Sequence, residues 1–252
     1  MLKPILLPLI IAFQLLTRVP TPQVEKVTPQ ALGDSLLYYP LVGLVIGLLL
    51  TVINGLLFSA TIEVTAVLLL IVWVGITGAL HLDGLGDSAD AWIGGHGDQQ
   101  RTLEIMKDPY CGPAAVCSIL LVLLSKYAAL QHLTEHSQYL ALLFIPILSR
   151  SFILVLFLTT PYVRQQGLGE SLANNLPRRN AWSVLLIVSF AILILLKLSG
   201  FILLVSALIS FLILRHWMMK RIGGTTGDTA GAMVEILEAI MLLCFSLFCI
   251  SS

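Results

Sequence analysis

LLYYPLVGLVIGLLLTVINGLLF, residues 36–58, runs from Leu36 to Phe58 without one charged side chain. A helix needs about 20 mostly apolar residues to cross the hydrocarbon core of a bilayer. This stretch meets that length. Only Ser59-Ala60-Thr61 separate it from a second apolar run, residues 62–82, whose one formal charge is Glu63. Further runs follow at 113–130, 139–160, 182–198, 201–218 and 234–250. None shows the period-2 alternation of a barrel strand, and lipid-exposed backbone must satisfy its own hydrogen bonds, so each run reads as a helix. The expected fold is all-α: a polytopic membrane helix bundle of about seven spans plus a short N-terminal helix. Residues 1–252 read as one integral membrane domain, with no internal repeat and no long linker.

Composition agrees. Hydrophobic residues make up 58% of the 252 and charged residues 11%, against about 25% charged in a soluble domain. So few charges cannot cover the surface of a water-soluble globule. Lysine plus arginine equal aspartate plus glutamate in number, so there is no basic field and nucleic acid is not an expected partner. Cys111, Cys117, Cys244 and Cys249 have no C-x-x-C spacing and read as free thiols. The apolar run to Leu16 faintly resembles a signal peptide, yet it has no small-residue cleavage site and ends at Thr17-Arg18-Val19-Pro20. It reads as a short first helix.

The basic residues alternate between connections. Arg18 and Lys26 precede the first full span, and residues 59–61 hold none. Arg101 and Lys107 lie in 81–112, and residues 131–138 hold none. Arg164, Arg178 and Arg179 lie in 161–181, the turn at Ser199-Gly200 holds none, and Arg215, Lys220 and Arg221 lie in 215–233. Basic connections face the cytoplasm. That places the three long polar segments there and the C-terminus outside. Most acidic residues share those segments.

The first constellation is His81-Leu82-Asp83-Gly84-Leu85-Gly86-Asp87-Ser88-Ala89-Asp90. On a helix, Asp87 lies roughly 40° to one side of Asp83 and Asp90 about 20° to the other. Three carboxylates so close repel, and a divalent cation relieves the repulsion; hard oxygen donors suit magnesium or manganese. The interleaved small residues admit a bulky ligand or a second helix. The plain alternative is a solvated acidic helix end. The second constellation is Asp98 to Gly112, in which Asp98 caps a short helix that Pro109 stops at Asp108. Lys107 and Asp108 then sit at a turn, as phosphate and metal ligands or as a surface ion pair.

The third is Arg221-Ile222-Gly223-Gly224-Thr225-Thr226-Gly227-Asp228 running into a helix with Glu235 and Glu238. Glycine-rich backbone ahead of a helix N-terminus suits phosphate, and a flexible loop is the plain alternative. Carboxylates at the start of a span are costly and usually functional. Arg150, midway along 139–160, requires an acid or an anionic ligand, and Glu235 and Glu238 are the available acids. His81, beside the acidic helix, is placed to contact ligand.

Assembled, these residues resemble the cobalamin synthase family, the adenosylcobinamide-GDP ribazoletransferases. The resemblance rests on His81 to Asp90, on Ile105-Met106-Lys107-Asp108 with Gly112, and on Gly227-Asp228-Thr229-Ala230-Gly231-Ala232 with Glu235. Phe13-Gln14-Leu15-Leu16-Thr17-Arg18-Val19-Pro20 and Tyr38-Tyr39-Pro40-Leu41-Val42-Gly43 extend it over nearly the whole chain. It implies a magnesium-dependent enzyme of the bacterial cytoplasmic membrane with its active site facing the cytoplasm. Such an enzyme joins adenosylcobinamide-GDP to α-ribazole or its 5′-phosphate and releases GMP. In that light Asp83, Asp87, Asp90 and Asp228 are the expected metal ligands, with Asp108 and Glu235 beside them. Asp83, Asp87 and Lys107 are the expected catalytic groups. Lys107 and Arg150 would meet phosphate charge, Gly223, Gly224 and Gly227 the pyrophosphate, and His81 the substrate. Further partners compatible with it are a second copy of the chain or other cobalamin-assembly enzymes.

Two rival classes fit less well. A CDP-alcohol phosphotransferase carries D-x-x-D-G-x-x-A-R, whereas Asp83-Gly84 is followed by Leu85-Gly86-Asp87; a prenyltransferase would show two similar Asp-rich motifs. A cation transporter would place its carboxylates at mid-membrane in related halves.

Overall fold

The computed structural model describes residues 6–24, 27–164 and 168–248. Lys26, Cys249 and the last two residues of the 234–250 run lie outside them, as does the sequence before Leu6. Helices account for the whole architecture: α1 (Leu6–Leu16), α2 (Pro29–Ser35) leading through a 3-10 turn at Leu36–Tyr38 into α3 (Tyr39–Leu56), α4 (Ile62–Thr77), α5 (Leu80–Gly94), α6 (Gln99–Ile105), α7 (Pro113–Glu135), α8 (Tyr139–Thr159), α9 (Leu168–Asn174), α10 (Arg178–Ile222) and α11 (Gly227–Phe248). Among the described residues the single strand-like contact is an isolated bridge between Tyr162 and Thr225.

Five of these helices are long and apolar enough to cross a membrane, and α4 and α5 pass the same test only together, as a bent pair. The chain is a multi-pass membrane protein. Its surface says the same in physical terms. Large apolar side chains point outward along α3 (Leu48, Val52), α7 (Leu120, Leu121, Leu124) and α10 (Leu186, Ile187, Phe190), while Lys126, Arg150, Glu235 and Glu238 are buried inside. That is the reverse of a soluble protein, and only a hydrocarbon solvent makes it favourable.

Two expectations change in detail. The run 62–82 is not one straight span. α4 ends at Thr77, Gly78 and Ala79 both adopt left-handed conformations with φ of 62° and 56°, and α5 leaves at 86° to α4. The acidic helix therefore turns across the end of the bundle instead of running straight out of the membrane. Gly78 supplies a conformation that costs other residues energy. The runs 182–198 and 201–218 belong to one 45-residue helix, α10, broken at Lys197 (φ 50°, ψ −120°). Arg178 donates to the Leu158 carbonyl at 2.6 Å and Arg215 to the Thr159 carbonyl at 2.6 Å. In a straight helix those two arginines would stand about 55 Å apart. Both reach the end of α8, so α10 doubles back at Lys197 into two antiparallel arms. Among the described residues each of the seven expected runs is thus mainly helical.

The tightest helix pair is α3 with α8. A Cβ on Gly43 would lie 2.3 Å from the Pro146 carbonyl oxygen, and one on Gly47 2.4 Å from that of Leu143. Two small residues four apart let the backbones touch, which substitutes for the hydrophobic driving force that lipid removes. α1, only 11 residues long, packs against α2 and α3 and is too short to span.

The chain's polar segments converge on one end. Asp90 of α5 reaches the start of α7, Gln99 of α6 donates to the Ile222 carbonyl at 2.8 Å, and residues 161–163 pair with Thr225 through Thr225 N–H to Pro161 and Val163 N–H to Thr225. Segments 81–112, 161–181 and 215–233 therefore share one face, as the distribution of basic residues requires.

Candidate active site

α5 and α11 form the site's frame. A Cβ on Gly84 would lie 2.6 Å from the Asp228 carbonyl oxygen, and one on Gly231 3.2 Å from the His81 Cα. Glycine on each helix thus brings Asp228 alongside Asp83 and Asp87. The α11 N-terminus is fixed by a reciprocal cap: the Thr229 N–H donates to Thr226 Oγ1 (3.2 Å) and the Thr226 N–H to Thr229 Oγ1 (2.8 Å). Asp228 sits in the first turn beyond it, where a carboxylate suits the helix dipole.

Two cavities meet at this point. The larger, about 420 Å³, is lined by His81, Asp83, Arg164, Gly227 and Asp228 among apolar side chains that include Leu16, Tyr39 and Phe157. The smaller, about 260 Å³, is lined by Met106, Lys107, Val163, Arg164, Thr226 and Asp228. Arg164 and Asp228 belong to both, and their ion pair at 3.1 Å stands between the two. Asp87, on the same face of α5, has its carboxyl pushed up to about 6 by partial burial and then by the charges of Asp83, Asp228 and Asp90, with Arg164 opposing. The carboxylates that crowd Asp87 thus include Asp228 of α11 as well as its neighbours on α5.

The other expected residues are distributed unevenly. Asp90 caps α7 from outside, accepting from the Gly112 N–H at 2.6 Å and the Ala115 N–H at 3.0 Å. Two N–H groups with no partner in their own helix are thereby satisfied. Asp108 accepts from the Tyr110 N–H at 3.1 Å, which holds the turn. Asp98 caps α6 as expected, accepting from the Arg101 N–H at 2.6 Å. Of the glycines, Gly223 ends α10 at φ 73° and Gly224 is pressed against the Pro161 carbonyl. Gly227 alone of the three lines the larger cavity. His81 is buried at the cavity wall, its Nδ1 without a partner among the described residues.

Arg150 and Glu235 are not at the aspartates. Deeper in the bundle Glu235 meets Lys126 at 2.6 Å, Glu238 meets Lys126 at 2.5 Å, and Arg150 pairs with Glu238, which also accepts from Ser149 Oγ at 3.0 Å. Lys126 Nζ stands 4.9 Å from the Trp73 ring. Four formal charges cancel there, with α7, α8 and α11 each supplying at least one. Motif spacing passes over Lys126; a lysine inside an apolar run is the available signal. In the sequence Arg164 marks only orientation, whereas in the fold it pairs with Asp228.

The donor set suits a hard cation. Asp83, Asp87 and Asp228 offer only carboxylate oxygen, and their mutual repulsion favours one. They do not close into a tight cluster. Among the described residues the one group of three whose ligand atoms all lie within 4.8 Å is His132, Glu135 and His136, at the far end of α7. An open arrangement of carboxylates is what magnesium accepts when it keeps waters and takes substrate phosphate.

Comparison with known proteins gives the lineage. An adenosylcobinamide-GDP ribazoletransferase from Pseudomonas fluorescens is 51% identical over 243 residues, covering 96% of this chain and 100% of the relative. Enzymes of the same name from Stutzerimonas stutzeri (51% over 238 residues, 94% and 97%) and Pseudomonas putida (50% over 239 residues, 94% and 98%) are similar. No solved structure matches. The family described as cobalamin-5-phosphate synthase matches residues 8–246, and this chain belongs to it.

Proposed function

We propose that this chain transfers the adenosylcobinamide-phosphate group of adenosylcobinamide-GDP to α-ribazole or α-ribazole 5′-phosphate, releasing GMP. One observation carries the chemical reading. Aspartates from α5 and α11 and the cations Lys107 and Arg164 surround adjoining cavities at one end of the bundle. The ribazole hydroxyl attacks the cobinamide-linked phosphorus, a new P–O bond forms, and the bond to the oxygen that departs with GMP breaks. Lys107 and Arg164 face the space where the diphosphate oxygens belong and hold them by charge. Asp83, exposed at the larger cavity, is placed to take the hydroxyl proton. Asp83, Asp87 and Asp228 would hold a magnesium ion, whose charge offsets that developing on the phosphate oxygens. The apolar wall of Leu16, Tyr39 and Phe157 limits water around the reacting groups. Arg150, paired with Glu238, is left out of phosphate binding.

The test is GMP release by purified protein given adenosylcobinamide-GDP and α-ribazole. Activity should vanish with EDTA and return with magnesium. Full turnover in a demonstrably metal-free preparation would remove the cation from the site.

The site is further proposed to face the cytoplasm from the inner membrane, supported by the clustering of Arg164, Arg178, Arg215, Lys220 and Arg221 at its end of the bundle. Cys111 is exposed on the same face. In a chain whose other three cysteines are serine, an impermeant maleimide should label Cys111 only after the inner membrane is opened. Labelling in intact cells would reverse the orientation.

A further inference from the structure

A third cavity lies on the opposite side of α5 from the aspartates. It runs between α7 and the second arm of α10, with α5 and α11 as its floor, and holds about 240 Å³. Its wall is almost wholly apolar: Leu85 and Ala89 of α5, Leu214 and Met218 of α10, Met233 and Ile236 of α11. The flanking surfaces, Val116 and Leu120 on α7 and Leu212 and Ile213 on α10, are exposed apolar side chains, so the cleft opens to lipid. Trp92 and Trp217 line this cleft and also a fourth cavity of about 360 Å³, completed by Gly97, Lys220 and Arg221, with no carboxylate among the described residues of its lining.

An apolar slot thus leads past two tryptophans to two cations at the end of the bundle. Indole rings prefer the level of the lipid headgroups, and lysine and arginine there attract anionic ones. Arg221 is held in place by donating to Thr102 Oγ1 at 3.1 Å and to the Trp92 carbonyl, with its guanidinium 5.8 Å from the Trp92 ring. Lys220 is exposed and makes no ion pair among the described residues. We infer that one anionic phospholipid binds here, an acyl chain in the slot and its phosphate at Lys220 and Arg221.

The site has a consequence for α5. Leu85, Ser88, Ala89 and Trp92 share one face of that helix, and Asp83, Asp87 and Asp90 lie roughly opposite. A lipid in the cleft braces the helix that presents the aspartates, as α11 does from the adjoining side.

Native mass spectrometry of the full chain, stripped of lipid in detergent, tests this with phosphatidylglycerol and phosphatidylcholine of identical acyl chains. The wild-type chain should retain one phosphatidylglycerol at least tenfold more tightly than phosphatidylcholine. Lys220→Glu, a surface change, should abolish that preference. Ala89→Phe, which fills the slot, should weaken retention of both lipids at least tenfold. Equal retention of the two lipids by the wild-type chain would overturn the proposal. So would a preference that survives Lys220→Glu, which holds even if Ala89→Phe fails to fold.

Discussion

A Lys126→Met chain is expected to melt about 10 °C below its parent in detergent, followed by tryptophan fluorescence. Methionine nearly matches the lysine stem in volume, so packing is kept and only the charge goes. Glu235 and Glu238 both meet Lys126, and Arg150 pairs with Glu238. Without Lys126 the cluster carries one uncompensated negative charge in a dry interior. Removing one partner of a buried pair costs about 3–5 kcal/mol, and each kcal/mol lowers Tm by about 2–4 °C in a chain of this size. Adding Glu235→Gln restores neutrality and leaves the Arg150–Glu238 pair intact. The double variant should therefore recover more than half of the loss. A single variant that melts within about 2 °C of the parent would show that the charges are not carrying the packing of α7, α8 and α11.

The same cluster shows where sequence reading reaches and where it stops. Apolar runs of span length announce themselves, because a chain that must satisfy its backbone in lipid has few other structures open to it. The spacing of Asp83, Asp87 and Asp90 likewise fixes their common face once helix is accepted. A bend is different. Thr77-Gly78-Ala79 sits in an apolar stretch that reads the same whether the helix continues or turns by 86°, and only Gly78 hints at the break. Asp90 illustrates a second limit. Its partners, the Gly112 and Ala115 N–H groups, lie 22 and 25 residues away, and no local pattern announces a cap supplied by another helix. Lys126 illustrates a third. Counting basic residues in connections sets orientation, and that procedure passes over a lysine in mid-span. Glu235 and Glu238, three apart on α11, require buried cations, and in the sequence Arg150 is the one that stands out. In the sequence Arg164 is one basic residue of a connection, and its pairing with Asp228 depends on how residues 161–163 fold onto Thr225.

Asp87→Asn is expected to cost on the order of 100-fold or more in the rate of GMP release, as does loss of other contacts to charge that develops during reaction. The substitution keeps the size of the side chain and its place on α5. Its effect on stability should run the other way, which separates chemistry from folding. The Asp87 carboxyl is pushed up to about 6, so the fold favours its protonated form. Relative to a neutral side chain, ionised Asp87 therefore disfavours the fold increasingly as pH rises from about 4 through 6. Asparagine never ionises. Metal-free Asp87→Asn protein should match the parent near pH 4 and equal or exceed its Tm at pH 8. If the aspartates form only a solvated acidic helix end, the same relief of repulsion follows but turnover is untouched. If they hold the cation that the transferring phosphate requires, stability rises while the rate collapses. A variant with near-normal ribazole transfer would move the cation away from Asp87, and Asp228, which lines both cavities, would be its anchor.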